Sequence, residues 1–256
     1  MKKYIGIILA GGIENGELSA LLDDRKIKPL LDIEGTSMIQ RLINAIDQVD
    51  LISEIFIVGR IELKEIITSK KPLQFFENKG KVIDGIKIGY SKLPEDREAI
   101  FFTDDIPLLT RDALVDFIFA VEREKKDAIY IFVDKKTMEK TFPGSTRTFF
   151  KLKEGEFCGG DVGYVNRYAF NQTINLIQKL FSQRKNTFAL IKLLGLWLTF
   201  KFLIKRLSIR DIEKRIEKML KFTISFYCSP HAEIAMDIDK LIHYNRVVEY
   251  LKKNNE

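Results

Sequence analysis

Short apolar runs alternate with amphipathic segments of helical period along the first half of the chain. The runs have the length of buried strands, and the segments between them place their apolar residues on one helical face. Apolar strands separated by helices predict a mostly parallel sheet with helices on both sides, a Rossmann-like three-layer α/β/α fold. The predicted strands are 4–9, 54–58, 99–103 and 128–133, and the predicted helices are 37–49, 82–93 and 111–124.

The pattern changes beyond residue 134, where glycines and a proline separate short extended pieces. The pieces TFFKL and GYVN predict an appended β layer, with a hairpin that turns at Gly159-Gly160-Asp161. No linker or internal repeat is present, so the chain is predicted to be a single domain, 1–256, with a basic, apolar, C-terminal helical insertion. The remaining predictions are a helical stretch from 167 to about 220 with the insertion at 184–221, a strand at 222–227 and a last helix near 240–251.

The net charge of +6 is concentrated in one segment. Residues 184–221 hold eleven Lys or Arg against three Asp or Glu, which leaves 31 basic and 33 acidic residues in the rest of the chain. A nearly neutral remainder does not indicate a nucleic-acid surface, so no nucleic-acid partner is expected. Two cysteines without metal-type spacing, Cys158 and Cys228, indicate a reduced protein of the cytoplasm.

A glycine pair and a lysine follow the first strand. Gly11 and Gly12 come directly after it, where backbone N–H groups can approach an anion closely. Lys28 lies about 16 residues further along, within reach of the same place. The alternative is a tight turn followed by a solvated lysine, because the loop is neither a Walker A motif nor GxGxxG.

Two pairs of aspartates stand near the ends of predicted elements. Asp104 and Asp105 follow the third strand, at the edge where a parallel sheet collects ligands, and two carboxylates there are costly unless solvated, helix-capping or bound to a cation. Asp237 and Asp239 precede the last helix. Mg²⁺ prefers oxygen ligands and fits such a site. The alternatives are that Asp105 initiates a turn and that Asp239 caps the helix.

These motifs together resemble a known family. LAGG, Lys28-Pro-Leu-Leu, Gly35, DIPLL from Asp105 and DID from Asp237 are similar to the signature of the MobA-like NTP transferases, nucleotidyltransferases with a GT-A-like fold. The resemblance implies that the glycine loop holds an NTP and that one acid after the third strand and one before the last helix hold the catalytic metal. The implied nucleotide-binding residues are Ala10, Gly11, Gly12, Lys28 and Asp84, and the implied metal ligands are Asp105 and Asp239, supported by Asp104 and Asp237.

The middle of the chain resembles the acceptor-side loop of the same family, where Gly-Gly-Asn is common. Asp161 stands in place of the asparagine, and the implied acceptor-binding residues are Arg147, Gly160 and Asp161. The chain also departs from the family after the glycines, where residues 13–17 lack the usual arginine and Arg25 is displaced from that position.

The basic segment 187–220 predicts two helices. The first is apolar almost all round, apart from a stripe of Lys192, Gly195, Thr199 and Arg206 on one side and Lys201 and Lys205 on the other. Its lysines make it a poor transmembrane helix, so we expect it to be buried, to form a homodimer interface, or to contact a membrane peripherally. Ser208 and Asp211 are expected to cap the second helix.

The predicted activity is Mg²⁺-dependent nucleotidyl transfer. A phosphate oxygen of a phosphorylated small-molecule acceptor attacks the α-phosphorus of an NTP, and pyrophosphate leaves. Lys28, Asp105 and Asp239 are the predicted catalytic residues, acting by charge stabilisation and metal binding. The alternatives are a non-catalytic nucleotide-binding or membrane-associated scaffold and a GT-A-type glycosyltransferase.

Overall fold

A central eight-stranded sheet organises the computed structural model, which describes residues 2–79, 82–174 and 195–254. Its strands are β1 (Tyr4–Ala10), β4 (Ile52–Gly59), β5 (Leu73–Glu77), β6 (Ala99–Thr103), β7 (Ala128–Asp134), β8 (Phe150–Leu152), β9 (Gly155–Val165) and β10 (Ile224–Ser229). The order is β10-β7-β9-β6-β1-β4-β5, with β8 paired to β9. A separate two-stranded pair is formed by β2 (Asp32–Ile33) and β3 (Thr36–Ser37).

Helices cover both faces of the sheet. Alternate side chains of β1 show this: Tyr4 and Ile8 belong to the larger core cluster, whereas Ile5 and Ile7 pack with Tyr90 on the opposite face. The predicted three-layer α/β/α fold is therefore confirmed. The helices are α1 (Met38–Asp47), α2 (Val82–Lys92), α3 (Arg111–Glu124), α4 (Lys135–Thr141), α5 (167–174), α6 (Leu196–Leu203), α7 (Ile209–Leu220) and α8 (Leu241–Asn254).

β9 is the exception in a sheet whose other long strands pair in parallel. It lies between β6 and β7 and runs antiparallel to both. The segment predicted as an appended layer thus supplies β8 and β9 to the main sheet itself. The predicted turn at Gly159-Gly160-Asp161 is wrong, because these residues lie inside β9 and the β8–β9 hairpin turns between Leu152 and Gly155.

Close packing against β7 explains why β9 contains the two glycines. A Cβ at Gly159 would lie 2.4 Å from the Tyr130 hydroxyl, and a Cβ at Gly160 would lie 2.4 Å from Cγ2 of Ile131. The glycines therefore make room for neighbouring side chains rather than for a turn.

Parts of the predicted helical stretch after residue 167 are described, as α5, α6 and α7; Lys192 lies outside the described residues. The chain bends after α6, where Lys205 adopts a left-handed conformation with φ of 57°. The predicted cap of α7 is confirmed, because the Ser208 hydroxyl accepts from the Asp211 N–H while the Asp211 carboxylate accepts from the Ser208 N–H, both at 3.1 Å. Within the described ranges, no helix is long and apolar enough to cross a bilayer.

The carboxyl ends of three strands meet at one edge of the sheet. β1 lies between β4 and β6 and is parallel to both, with Ala10 opposite Gly59 and Leu9 opposite Thr103. The approach is close at Gly59, where a Cβ would lie 2.1 Å from the carbonyl oxygen of Ala10. This edge is where a parallel α/β sheet places its ligand site.

Replacing Gly59 with alanine tests this close approach. The added methyl group meets backbone atoms, so we expect Gly59→Ala to destabilise the protein by about 1–3 kcal/mol, measured by urea unfolding. Gly163→Ala is the matched control, because its Cβ would meet nothing nearer than the Ile129 carbonyl oxygen, at 3.8 Å. Equal stability of the two variants would contradict this packing.

Candidate active site

A cavity of about 400 Å³ opens at the carboxyl ends of β1, β4 and β6. It brings together glycine backbone, carboxylates and cationic side chains, a combination suited to a phosphorylated ligand and a metal ion. The described residues that give it this character follow the ends of the strands: Gly11, Gly12, Lys28, Asp104, Asp105, Arg60, Asn78 and Lys79.

Gly11 allows the chain after β1 to pass close to the loop after β5. A Cβ at Gly11 would lie 2.9 Å from the backbone oxygen of Asn78, too close for any side chain. A Cβ at Gly12 would lie 3.7 Å from Cβ of Lys28 and 3.9 Å from Oδ2 of Asp104, on the cavity side. The pair therefore leaves the backbone open to a ligand.

The loop between the glycines and Lys28 folds back on itself. An isolated antiparallel bridge joins Ile13 to Ile27, and the N–H of Lys28 donates to the carbonyl oxygen of Gly12 at 3.2 Å. These bonds return the chain to its starting point, so a lysine far along the sequence stands beside the glycine pair.

Backbone pairing also brings two distant parts of the chain together at the acids. The N–H of Ile238 donates to the carbonyl oxygen of Asp105 at 3.0 Å, which places the loop before α8 against the end of β6. As a result, Asp105, Asp237 and Asp239 each offer a carboxylate oxygen, and these oxygens lie within 4.8 Å of one another. The structure thus brings together Asp105 and Asp239, the two acids that the family resemblance implies as metal ligands.

The side chain of Lys28 lies between two of these acids. Its Nζ donates to Oδ2 of Asp105 at 2.9 Å and to Oδ1 of Asp239 at 2.8 Å. Burial on its own would lower the pKa of Lys28, but the charges and hydrogen bonds of Asp105 and Asp239 outweigh it and raise the pKa above its usual value. Burial opposes ionisation of Asp239 too, yet the Lys28 contact keeps the pKa of that carboxyl below its usual value. Both shifts favour the charged forms of Lys28 and Asp239.

The cluster of aspartates is suited to bind a divalent ion. Oδ1 of Asp105 and Oδ2 of Asp104 are buried and have no hydrogen-bond partner among the described residues. Buried carboxylate oxygens of this kind are satisfied by a cation. Asp105, Asp237 and Asp239 form the cluster, whereas Asp104 points toward Gly12 and stands outside it.

Asp104 is enclosed far more than its neighbour. Its exposed fraction is 7%, and burial, followed by the adjacent charge of Asp105, raises the pKa of its carboxyl to about 8. The cost of burying the charge explains this direction. Additional positive charge at the cavity would favour its ionised form.

Arg147 links β9 to the acid cluster. It makes an ion pair with Asp237, a second ion pair with Asp161 at 3.8 Å, and donates to the carbonyl oxygen of Gly159 at 3.1 Å. Burial, followed by the charge of Asp105, raises the pKa of Asp161 to about 7, and Arg147 moderates the shift. Gly160 is packed against Ile131 in the same strand.

His243 holds the backbone of Asp239 in place. The Asp239 N–H donates to Nδ1 of His243 at 3.3 Å, so Nε2 carries the proton of the neutral ring and donates to the Thr146 hydroxyl at 3.0 Å. Burial, followed by the charge of Arg147, lowers the pKa of His243, in agreement with a neutral ring. Asp239 lies two residues before the first residue of α8, and its carboxylate bonds to Lys28 instead of capping that helix.

Two residues of the predicted nucleotide site do not line the cavity, and three residues that do line it were not predicted from the sequence. Of the described residues, Ala10 is fully buried in the core and Asp84 is half-buried in α2, and neither lines the cavity. Arg60, Asn78 and Lys79 do line it, since they follow β4 and β5. β5 was not recognised in the sequence; its short run LQFFE, next to a glycine-rich helix, was the available signal.

The family of the chain follows from a sequence comparison. The sequence model of the MobA-like NTP transferase domain matches residues 6–168. The chain therefore belongs to the MobA-like NTP transferase family and is a nucleotidyltransferase. This assignment favours nucleotidyl transfer over the glycosyltransferase and scaffold alternatives. Among curated proteins, no sequence matches the chain.

Solved structures share the fold over nearly the whole chain. A hypothetical transferase from Thermus thermophilus is 24% identical, with a TM-score of 0.82, and the match covers 94% of this chain and 99% of that one. CMP:2-keto-3-deoxy-manno-octonic acid synthetase in complex with CTP is 13% identical, with a TM-score of 0.60, covering 99% and 100%. A Mycobacterium tuberculosis protein in complex with manganese is 11% identical, with a TM-score of 0.52, covering 97% and 99%.

Asp161→Asn tests the electrostatics beside Arg147. Because the pKa of Asp161 is raised to about 7 in the folded protein, its ionisation lowers the stability: the cost is complete above about pH 7 and declines as the pH falls from there toward the ordinary pKa of an aspartate. We expect the variant to have a higher Tm than the wild type at pH 8.5 and a much smaller advantage at pH 5, with EDTA present. The exposed Asp112→Asn serves as the control. An effect independent of pH would show that the charge of Asp161 is not the cause.

Proposed function

We propose that the protein transfers a nucleoside monophosphate from an NTP to a phosphorylated small-molecule acceptor, with Mg²⁺ as the cofactor and pyrophosphate as the second product. The observation that carries this proposal is the meeting of Asp105, Asp237 and Asp239 within 4.8 Å, beside a glycine turn and a lysine. Paired carboxylates that leave room for substrate phosphates are the usual protein ligands of Mg²⁺.

The cavity is the proposed nucleotide site. The Gly11 and Gly12 backbone and the Lys28 ammonium group stabilise the negative charge of the triphosphate, including the charge that develops on the leaving pyrophosphate. Arg60, Asn78 and Lys79, which follow β4 and β5, provide further side-chain donors at the cavity, and the nucleoside would lie beside them. Asp84 is a weaker candidate, because it does not line the cavity.

The acids are the proposed metal ligands. Asp105 and Asp239 would hold the ion, with Asp237 as a third ligand and Asp104 in support. The ion would supply Lewis-acid polarisation of the α-phosphate. An acceptor phosphate oxygen forms the new bond to the α-phosphorus while the bond to pyrophosphate breaks, so this chain needs only to position and stabilise and does not need a nucleophilic side chain.

Arg147, Gly160 and Asp161 are the proposed acceptor-side residues. The Arg147 guanidinium is held by Asp237 and Asp161, and its buried Nε lacks a hydrogen-bond partner in the described structure. A fixed guanidinium with a spare donor suits recognition of a phosphate. Gly160 keeps the strand close to β7 beside this group. The cytoplasm is the proposed compartment, supported by the two free cysteines.

Loss of either metal-binding carboxylate is the direct test of activity. We expect Asp105→Asn and Asp239→Asn each to lower kcat by roughly 10³-fold, because several kcal/mol of charge stabilisation are lost. The assay is pyrophosphate release with each of the four NTPs against a panel of sugar and alditol phosphates. Asp112→Asn, an exposed change on α3, should retain wild-type turnover. Nucleotide binding without turnover by the wild type would sink the catalytic proposal.

Lys28→Met tests the competition between the lysine and the metal. Since its ammonium group already contacts Asp105 and Asp239, its removal should raise the affinity for Mn²⁺ in the absence of nucleotide. The same change should weaken NTP binding, because the phosphates lose a cation. Both are measured by titration calorimetry and, for Mn²⁺, by electron paramagnetic resonance.

Lys79→Met is the matched control for that titration. It removes the same charge from the same cavity, but its nearest acid is Glu77, at 2.7 Å. We expect its Mn²⁺ affinity to stay near that of the wild type. If Lys28→Met binds Mn²⁺ no better than this control, the lysine does not compete with the ion.

A further inference from the structure

The outward face of α6 is apolar. Trp197, Phe200 and Ile204 follow one another at spacings of three and four residues, and Leu203 lies beside them on the same side of the helix. Their exposed fractions are 67%, 52%, 44% and 72%. We call these four residues the α6 face. A contiguous exposed apolar surface of this kind marks an interaction site.

The opposite side of α6 fixes the helix on the domain. Leu198 is buried in a cluster with Phe132, Leu152 and Phe157, which belong to β7, β8 and β9. Lys201 at the flank donates to Asp211 at the start of α7 at 2.8 Å. The α6 face is therefore turned outward by packing on its other side.

The surroundings of the α6 face are basic. Residues 196–210 contain Lys201, Lys205, Arg206 and Arg210 and no Asp or Glu. Lys201 is paired with Asp211, whereas Lys205, Arg206 and Arg210 are exposed and, within the described structure, have no carboxylate within 4.0 Å. Apolar and aromatic side chains flanked by unpaired cations are the chemical pattern of an interfacial membrane-binding element.

We propose that the α6 face binds the surface of an anionic lipid membrane. Trp197, Phe200, Leu203 and Ile204 would enter the boundary between headgroups and acyl chains, while Lys205, Arg206 and Arg210 contact the headgroups. A symmetric dimer through the same face would bring these cations against copies of themselves, which disfavours a second copy of the chain as the occupant. Anionic lipid complements both features of the surface.

Membrane contact of this kind leaves the nucleotide cavity accessible. The cavity is lined from β1, β4, β6 and the loop after β5, whereas α6 packs on β7, β8 and β9 and contributes no described residue to the lining. The proposal therefore stands independently of the proposed function, and turnover of soluble substrates should be unaffected by changes on the α6 face.

Trp197 is the only tryptophan of the chain, so its fluorescence reports on the α6 face directly. Vesicles of phosphatidylcholine with phosphatidylglycerol should shift its emission to shorter wavelength and carry the protein in a flotation assay. Vesicles of phosphatidylcholine alone should do so much less, and added salt should weaken the binding.

Two variants separate the apolar and the charged contributions. The double variant Phe200→Ser/Leu203→Ser retains Trp197 as the fluorescent reporter. It should lower vesicle partitioning by roughly tenfold or more, because two exposed apolar side chains are lost. Lys205→Glu with Arg206→Glu should lower it by at least roughly tenfold on anionic vesicles. Phe119→Ser on α3, which removes an equally exposed ring elsewhere, should partition like the wild type. Thermal unfolding checks that every variant is folded.

The proposal is overturned if the wild type neither floats with anionic vesicles at low ionic strength nor shows the emission shift. It is overturned as well if both double variants partition like the wild type. A dimer in analytical ultracentrifugation that Phe200→Ser with Leu203→Ser converts to monomer, without vesicle binding by the wild type, would assign the α6 face to a second copy of the chain instead.

Discussion

The ammonium group of Lys28 lies between two carboxylates from distant parts of the chain, and the geometry of the site depends on this contact. Asp105 follows β6 and Asp239 precedes α8, and both accept a hydrogen bond from the same nitrogen. Carboxylates so close together repel one another unless a cation lies among them. The bridge that returns the chain to Gly12 and the bond from Ile238 to Asp105 both serve to assemble these charges.

The two halves of the sheet contribute different parts of the site. The parallel strands β1, β4 and β6 end together at the cavity, which is the proposed nucleotide site and is lined by backbone groups of glycine. The antiparallel β9 brings Asp161 toward Arg147, whose guanidinium reaches Asp237 in the acid cluster. The half-buried Arg147 thus connects β9 with the acid cluster, so its displacement would disturb both the proposed acceptor side and the proposed metal site.

Much of the fold could be predicted from the sequence because its signals were local, whereas the pairing of Asp105 with Asp239 was implied by the family resemblance. Apolar runs at strand length predicted β1, β4, β6 and β7, and acids directly after β6 stand at the edge where strand ends meet. What local patterns could not show was long-range packing. Gly159 and Gly160 were interpreted as a turn, because the reason for these glycines is their close packing against Tyr130 and Ile131, which are distant in sequence. Arg60, Asn78 and Lys79 could not be recognised as cavity residues, because they come together only when β5 pairs with β4. The hydrogen bond from the Asp239 N–H to His243 likewise forms only in the folded chain.

The central claim is that one divalent ion and Lys28 compete for the carboxylates of Asp105 and Asp239. Crystals grown with Mn²⁺ and a non-hydrolysable NTP analogue, measured for anomalous scattering at the manganese edge, test it most directly. The account predicts an anomalous peak within coordination distance of both carboxylates, with the Lys28 ammonium group moved onto the phosphates. A peak elsewhere, with Lys28 still between Asp105 and Asp239, would contradict it.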